Sequence, residues 1–444
     1  RVGEIMKKRL GIIDADLLDN GTRHPNLACM KISAYYKENG WDVELLETYE
    51  NLDDYDLVSI SRVFSFTNIP NSIYKRGICK DPLHPELSLK KNIVIGGTGF
   101  YYDKAPDLKC EIEHHMPDYH LYDNFIEKRI SFLVSEYETR LKQDIEKGKK
   151  VLKEGETLES LIDKKRASTR TKYCDYLDFS IGFVTRGCFR KCSFCVNKKY
   201  DHVFKASPVN EFLDESRPCI YLWDDNFMAS PDFNSILDEL IATNKPFQFR
   251  QGLDMRLMTD SKAEKLSNVR YHGDYIFAFD HIEDKDLISK KLEIWRNHCS
   301  KSTKLYVLTG YDSQDEKDIE NTFERIKILM EFGCLPYIMR YEDYKKSKFR
   351  TMYIELARWC NQPAFIKKQS FRQYCENNEK YHKEHAPNAK GTCSCYQTMI
   401  DFENEFPEIA AKYYDIRMEE INRFPSTMSS KSNKSKPSRT RKVK

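Results

Sequence analysis

A chain of 444 residues, 40% hydrophobic and 13% aromatic, holds enough apolar side chain for more than one packed core. Its net charge of +3 excludes a uniformly basic nucleic-acid binder, and no run approaches the roughly 18 apolar residues of a membrane span. Fourteen cysteines without an export-signal core read as reduced thiols in a cytoplasm, where disulfides are rare. The chain opens on Arg1, and Met6 stands directly before the first apolar run, so residues 1–5 read as a misassigned start.

In chain order, residues 9–13 form a short β-type run. A helix is expected over 26–39, stopped by Gly40. Strand candidates follow at 41–46, 57–61 and 92–95, the last running into Gly96, Gly97, Thr98 and Gly99. Apolar runs alternating with helical stretches predict a small Rossmann-like parallel sheet domain over residues 6–126. Residues 127–172 turn rich in Lys, Glu and Leu, with Leu133, Tyr137, Leu141 and Ile145 at helical spacing, and read as a charged helical linker.

The stretch 185–195 carries the chemistry. Cys188, Cys192 and Cys195 stand at C-x3-C-x2-C spacing, with Phe194 just before the last. Four thiolates close a zinc or iron–sulfur site, whereas three leave a metal position open to a ligand from outside the protein. Gly187 lets the backbone turn sharply into the loop. Arg186, Arg190 and Lys191 are cations suited to stabilising thiolates. Six βα units are expected across residues 173–345, with strands at 179–184, 219–223, 247–250, 275–279, 305–308 and 335–339. Each ends in a polar or glycine-containing cluster, and parallel barrels place their chemistry at such strand ends.

The cysteine spacing, the aromatic before the third cysteine and the six units resemble the radical S-adenosylmethionine (radical SAM) superfamily. The resemblance implies a partial (β/α)6 barrel whose three cysteines, Cys188, Cys192 and Cys195, hold a [4Fe-4S] cluster with SAM on the open iron. It implies a one-electron cleavage of SAM to methionine and a 5'-deoxyadenosyl radical. Asp224, Asp225 and Asn226 lie where the family binds the SAM amino group. Arg256, or else Arg340, is the candidate partner for the SAM carboxylate. Gln251, Asp254 and Asp280 are candidates for ribose hydroxyls or substrate, and the main chain of Phe194 for adenine. His281 is an acid/base candidate by type.

A Rossmann-like domain before such a core is similar to the cobalamin-binding and methylthiotransferase-like classes. The usual cobalamin signature is D-x-H-x-x-G; here Asp14, Asp16 and Gly21 are present, but His24 lies beyond the glycine. That break disfavours cobalamin and favours a degenerate domain shaping the substrate entrance. Beyond the core, residues 346–424 read as a Cys- and aromatic-rich helical extension with a terminal helix over 401–423. Within it, Cys360, Cys375, Cys393 and Cys395 are either ligands of a second cluster or zinc ion, or buried free thiols. Residues 425–444 read as a disordered basic tail.

The fold class expected is therefore α/β: a Rossmann-like parallel sheet, a partial (β/α)6 radical SAM barrel and a helical C-terminal extension. The function implied by resemblance is a cytoplasmic radical SAM enzyme acting on a nucleic acid, a peptide or a small molecule. It would need a reducing donor such as flavodoxin or ferredoxin and no membrane. Cobalamin-dependent methyl transfer and a non-catalytic iron–sulfur sensor or adaptor are the alternative readings.

Overall fold

The computed structural model describes residues 7–81, 84–386 and 391–425, so the expected misassigned start and the basic tail from 426 onward lie outside the described residues. The chain divides into two compact units, one built on residues up to Asp225 with 235–245, the other on 226–234 and the chain from Pro246 onward.

In the first unit, β1 (Arg9–Asp14) leads through α1 (Ala15–Asn20) and α2 (Leu27–Glu38) to β2 (Asp42–Leu45), β3 (Leu57–Ser61) and β4 (Ile93–Gly96). All pairings are parallel, in the order β2-β1-β3-β4. Asn26 begins α2 by accepting a hydrogen bond from the Cys29 amide, an ordinary N-cap. Alternation along β1 sorts its side chains: Leu10 and Ile12 enter one apolar cluster, Ile13 another with Val58, Ile60 and Ile93.

The charged stretch folds as two helices, α3 (Asp123–Glu146) and α4 (Leu158–Thr171). The periodicity expected there is real, but α3 is more than a solvated spacer. Ile126, Ile130 and Val134, four residues apart, are buried with Leu10, Ile12 and Met30. Residues just before α3 reach further along the chain. The Tyr119 hydroxyl accepts the Ile181 amide at 2.8 Å and donates to the Phe212 carbonyl at 2.6 Å. Buried Arg217 donates to the carbonyls of Tyr176 and Tyr119 at 2.8 and 2.9 Å. These bonds seat β5 (Phe179–Gly182), which pairs in parallel with β6 (Cys219–Leu222).

The second unit continues the alternation with β7 (Phe247–Phe249), α5 (Asp260–Ser267), β8 (Tyr275–Ala278), α6 (Lys285–His298), β9 (Thr303–Thr309), α7 (Glu316–Glu331) and β10 (Leu335–Arg340). β8, β9 and β10 form a parallel sheet, and parallel bridges Phe247↔Tyr271 and Leu253↔Phe277 tie the β7 segment to β8. All six strands expected from residues 179–339 are present within a few residues of their anticipated limits. The helices α8 (Arg350–Cys360), α9 (Phe371–His385) and α10 (Ser394–Glu405) follow. The single terminal helix expected over 401–423 is instead three pieces, α10, Pro407–Tyr413 and Met418–Ile421. Pro407 cannot donate within a helix and so starts a new one. No helix among the described residues is long and apolar enough to cross a membrane.

The ends of β8 and β9 share one buried cation. Arg325 on α7, 2% exposed, donates to the carbonyls of Phe279 (3.3 Å), Leu308 (2.9 Å) and Asp280. Replacing it by methionine strips three carbonyls of their donor. Arg325→Met should lose about 3 kcal/mol of stability, read from the urea unfolding midpoint.

Candidate functional site

The cysteine loop leaves β5 through Thr185–Arg186, which pairs antiparallel with Phe204–Lys205 and so closes the loop's base. Gly187 has φ +89°, and a Cβ there would stand 2.1 Å from the His202 carbonyl oxygen, so only glycine fits. Lys191 also has positive φ, and its ammonium donates to the carbonyls of Lys198 and Tyr200 (2.9 Å), drawing both arms of the loop together.

Cys188, Cys192 and Cys195 are half-buried. The Arg190 amide points at the Cys188 sulfur at 3.5 Å and the Asn197 amide at the Cys195 sulfur at 3.4 Å. Such donors favour thiolates. Burial raises the Cys195 thiol, the Asn197 amide offsets part of that, and the nearby Cys192 and Cys188 raise it further. Among the described residues no group of three or more His, Cys, Asp or Glu side chains is arranged to hold a single metal ion. The thiolates of a cubane bind three different irons and stand farther apart than the ligands of one ion. The loop, with its obligatory glycine and backbone donors to two of the three sulfurs, fits that larger group.

Two acids following β6 bind this loop. The Asp225 carboxylate accepts the Gly187 amide and the Asn197 side-chain amide, both at 2.8 Å. Asp224, 4% exposed, accepts from the amide and hydroxyl of Thr185 (2.6 Å for the hydroxyl) and the amide of Val184. Both residues expected at the SAM amino group thus hold the loop's backbone. Asn226 directly follows them and is buried.

Two of the three cations expected to stabilise thiolates are engaged elsewhere, and Arg190 lies over the Phe189 ring at 4.9 Å. Arg186 stacks on Phe183 and pairs with Glu113 at 3.2 Å, and Lys191 caps carbonyls as above. The backbone amides supply the thiol donors instead. Thr185, Asn197 and Glu113 escaped the sequence reading. Asn197 alone had a signal, its amide lying two residues beyond a cysteine as Arg190 lies beyond Cys188.

In the second unit the strand-end residues are placed as follows. Arg256 holds Asp254 at 2.8 Å and Asp284 at 3.0 Å, so its charge is already matched. Asp254 is buried and caps the turn at Met255–Leu257, while Gln251 is exposed. Burial raises the Asp280 carboxyl, partly offset by Arg325. Arg340 lies over the Tyr344 ring at 4.7 Å and donates to its hydroxyl at 3.2 Å. His281 is 3.2 Å from Asp312. Phe194 is half-buried.

The residues of the interrupted cobalamin signature have structural roles. Asp14 caps α1 and accepts the Tyr122 hydroxyl at 2.8 Å. Asp16 accepts the amides of Val63 (2.6 Å) and Phe64 (3.2 Å), and Gly21 ends α1 with φ +61°. His24 contacts the carboxylate of Asp175 through its Nδ1.

No known family model matches the sequence, and no curated protein matches it. Among solved structures, the chain is similar to the radical S-adenosylmethionine methyltransferase TsrM from Kitasatospora setae with cobalamin and [4Fe-4S] cluster bound, at 12% identity over 76% of this chain and 75% of that one, TM-score 0.43. It is also similar to the cobalamin-dependent S-adenosylmethionine radical enzyme OxsB with aqua-cobalamin bound, at 14% identity over 92% of this chain and 56% of that one, TM-score 0.32. A third is Streptococcus suis SuiB bound to S-adenosylmethionine, at 13% identity over 59% of this chain and 65% of that one, TM-score 0.30.

Burial raises the Asp224 carboxyl to about 7 and the Asp14 carboxyl to about 6, against 3.8 in the unfolded chain. Each folded-state group keeps a proton that the unfolded chain has released. Their contribution to stability is therefore full at low pH and is lost as pH rises through 6 and 7. In Asp224→Asn the fall in melting temperature above pH 4 should end near pH 6 instead of pH 7, as measured by a pH series of thermal unfolding curves.

Proposed function

We propose that this chain is a radical SAM enzyme in which Cys188, Cys192 and Cys195 hold a [4Fe-4S] cluster. That group, when bound, supplies the electron that cleaves S-adenosylmethionine reductively to methionine and a 5'-deoxyadenosyl radical. The observation that carries the reading is the cysteine loop itself: three half-buried thiols, two of them facing backbone amides, on a turn that only glycine can make.

The chain's own residues divide the work. Asp225 and Asp224 are positioning residues, fixing the loop through Gly187, Asn197 and Thr185. Arg190 and Asn197 direct backbone amides at the Cys188 and Cys195 sulfurs. For the SAM carboxylate, Arg340 is a better candidate than Arg256, whose guanidinium is matched by Asp254 and Asp284. Gln251 and Asp280 stay in the proposal as contacts for ribose or substrate. A flavodoxin- or ferredoxin-type donor in a reducing cytoplasm would deliver the electron.

Anaerobic reconstitution with iron and sulfide, dithionite reduction and chromatography for 5'-deoxyadenosine test this directly. Wild type should form 5'-deoxyadenosine from SAM, and a Cys188/Cys192/Cys195→Ala triple variant should form none. An iron-loaded wild type that neither binds nor cleaves SAM would favour the sensor or adaptor reading.

One surface favours a second reading, cobalamin-dependent methyl transfer. Beyond the carboxyl end of β3, Phe64 and Phe66 stack at 5.2 Å with both rings exposed, on a loop fixed by Asp16. Parallel sheets bind ligands at that end of their strands. On this reading, purified protein mixed with hydroxocobalamin should retain the corrinoid absorbance through gel filtration, and Phe64→Ala/Phe66→Ala should lose it. Absence of retained absorbance in wild type ends the reading.

A further inference from the structure

The four C-terminal cysteines do not behave as one group. Burial alone raises the Cys360 thiol, whereas Cys375 is raised by burial and then by Cys395 and Cys393. Cys375 on α9 and Cys395 on α10 place their sulfurs 3.1 Å apart, both buried. Cys393, two residues before Cys395, is half-buried.

The two helices are fixed on both sides of this contact. On one side Arg372 of α9 makes two bonds of 2.8 Å to the Glu403 carboxylate of α10. On the other, Glu379 of α9 accepts the Cys393 amide at 2.7 Å, at the start of α10. The thiols therefore meet between two polar clasps and are held together by the packing around them. A disulfide has its sulfurs about 2.05 Å apart, so closing the pair asks for roughly 1 Å of approach. Cys395 and Cys393 also line an open cavity of about 490 Å³, with Glu355, Arg358, His382 and His385 around it, so a small reagent meets Cys395 first, with Cys375 buried behind it.

We propose that Cys375 and Cys395 form a thiol modification site that reacts with low-molecular-weight disulfides and closes to an internal disulfide. The Cys395 thiolate attacks one sulfur of the reagent. An S–S bond to the protein forms, the reagent's own S–S bond breaks, and one half leaves as a thiol. Cys375 then attacks the Cys395 sulfur and releases the second half. Two protein thiols lose two protons and two electrons, and the reagent gains both as it becomes two thiols. The product ties α9 to α10. The proposal is independent of the chemistry at Cys188, Cys192 and Cys195.

The test equilibrates the full chain in buffers of graded oxidised-to-reduced glutathione ratio, quenches with acid, alkylates under denaturing conditions and maps the peptides by mass spectrometry. Oxidising buffers should yield a Cys375–Cys395 linked peptide pair, two hydrogens lighter than the thiols and restored by dithiothreitol. Cys375→Ser lacks the resolving thiol and should accumulate the glutathione adduct on Cys395 roughly tenfold above wild type. Cys360, taking no part, should alkylate fully in every buffer. Two results overturn the proposal. One is full alkylation of Cys375 and Cys395 after the most oxidising buffer. The other is protection of Cys375, Cys393 and Cys395 together by one equivalent of zinc released on chelation, which would make the cluster a metal site instead.

Discussion

The hydrogen bond from the Gly187 amide to Asp225 is the constraint on which the rest of the candidate site depends. Three thiols can serve one inorganic group only if the backbone between them is turned back on itself and kept there. Gly187 supplies the turn, because any side chain would collide with the His202 carbonyl. Asp225 then holds that turn and the far arm of the loop at once, through Gly187 and Asn197. Asp224, buried beside it, does the same for the end of the preceding strand. A carboxylate with two acceptor oxygens can bridge two segments distant in sequence, and adjacent acids after β6 do so in register because β6 pairs with β5.

This arrangement gives the acids a structural part beside the one their position suggested. The cluster after the second strand is legible in sequence as a functional signal, since acids at a strand's carboxyl end are rarely there for packing. The sequence does not say what they touch. Asp224 and Asp225 touch the neighbouring loop, and two cations inside that loop, Arg186 and Lys191, turn to Glu113 and to carbonyls. Cys188 and Cys195 receive backbone amides, a contact that depends on loop geometry and leaves no side-chain trace.

The α/β class and the strands were readable from apolar runs between turn residues, which mark strands whatever surrounds them. The expected helix over 26–39 is α2, because Asn26 and Gly40 punctuate it. Legibility failed where tertiary packing decides. Residues 127–172 read as solvated charge, yet Ile130 and Val134, at helical spacing with Ile126, were enough to join the core. The terminal helix read across Pro407 because the amphipathic pattern continues through the break. Among the four C-terminal cysteines, sequence spacing cannot show that Cys375 meets Cys395 while Cys360 stands apart. That pairing follows from the antiparallel register of α9 on α10, set by Arg372 with Glu403 and by Glu379 with Cys393.

The proposed function requires that the loop's three thiols leave one iron of the cluster open to SAM. Electron paramagnetic resonance of the reduced, reconstituted protein, recorded with and without SAM, tests it most directly. The account predicts the signal of a reduced [4Fe-4S] cluster, lost in the triple cysteine variant, and a change in its shape when SAM is added. A signal that SAM leaves unaltered, or a protein that takes up zinc in place of iron at these cysteines, would contradict it.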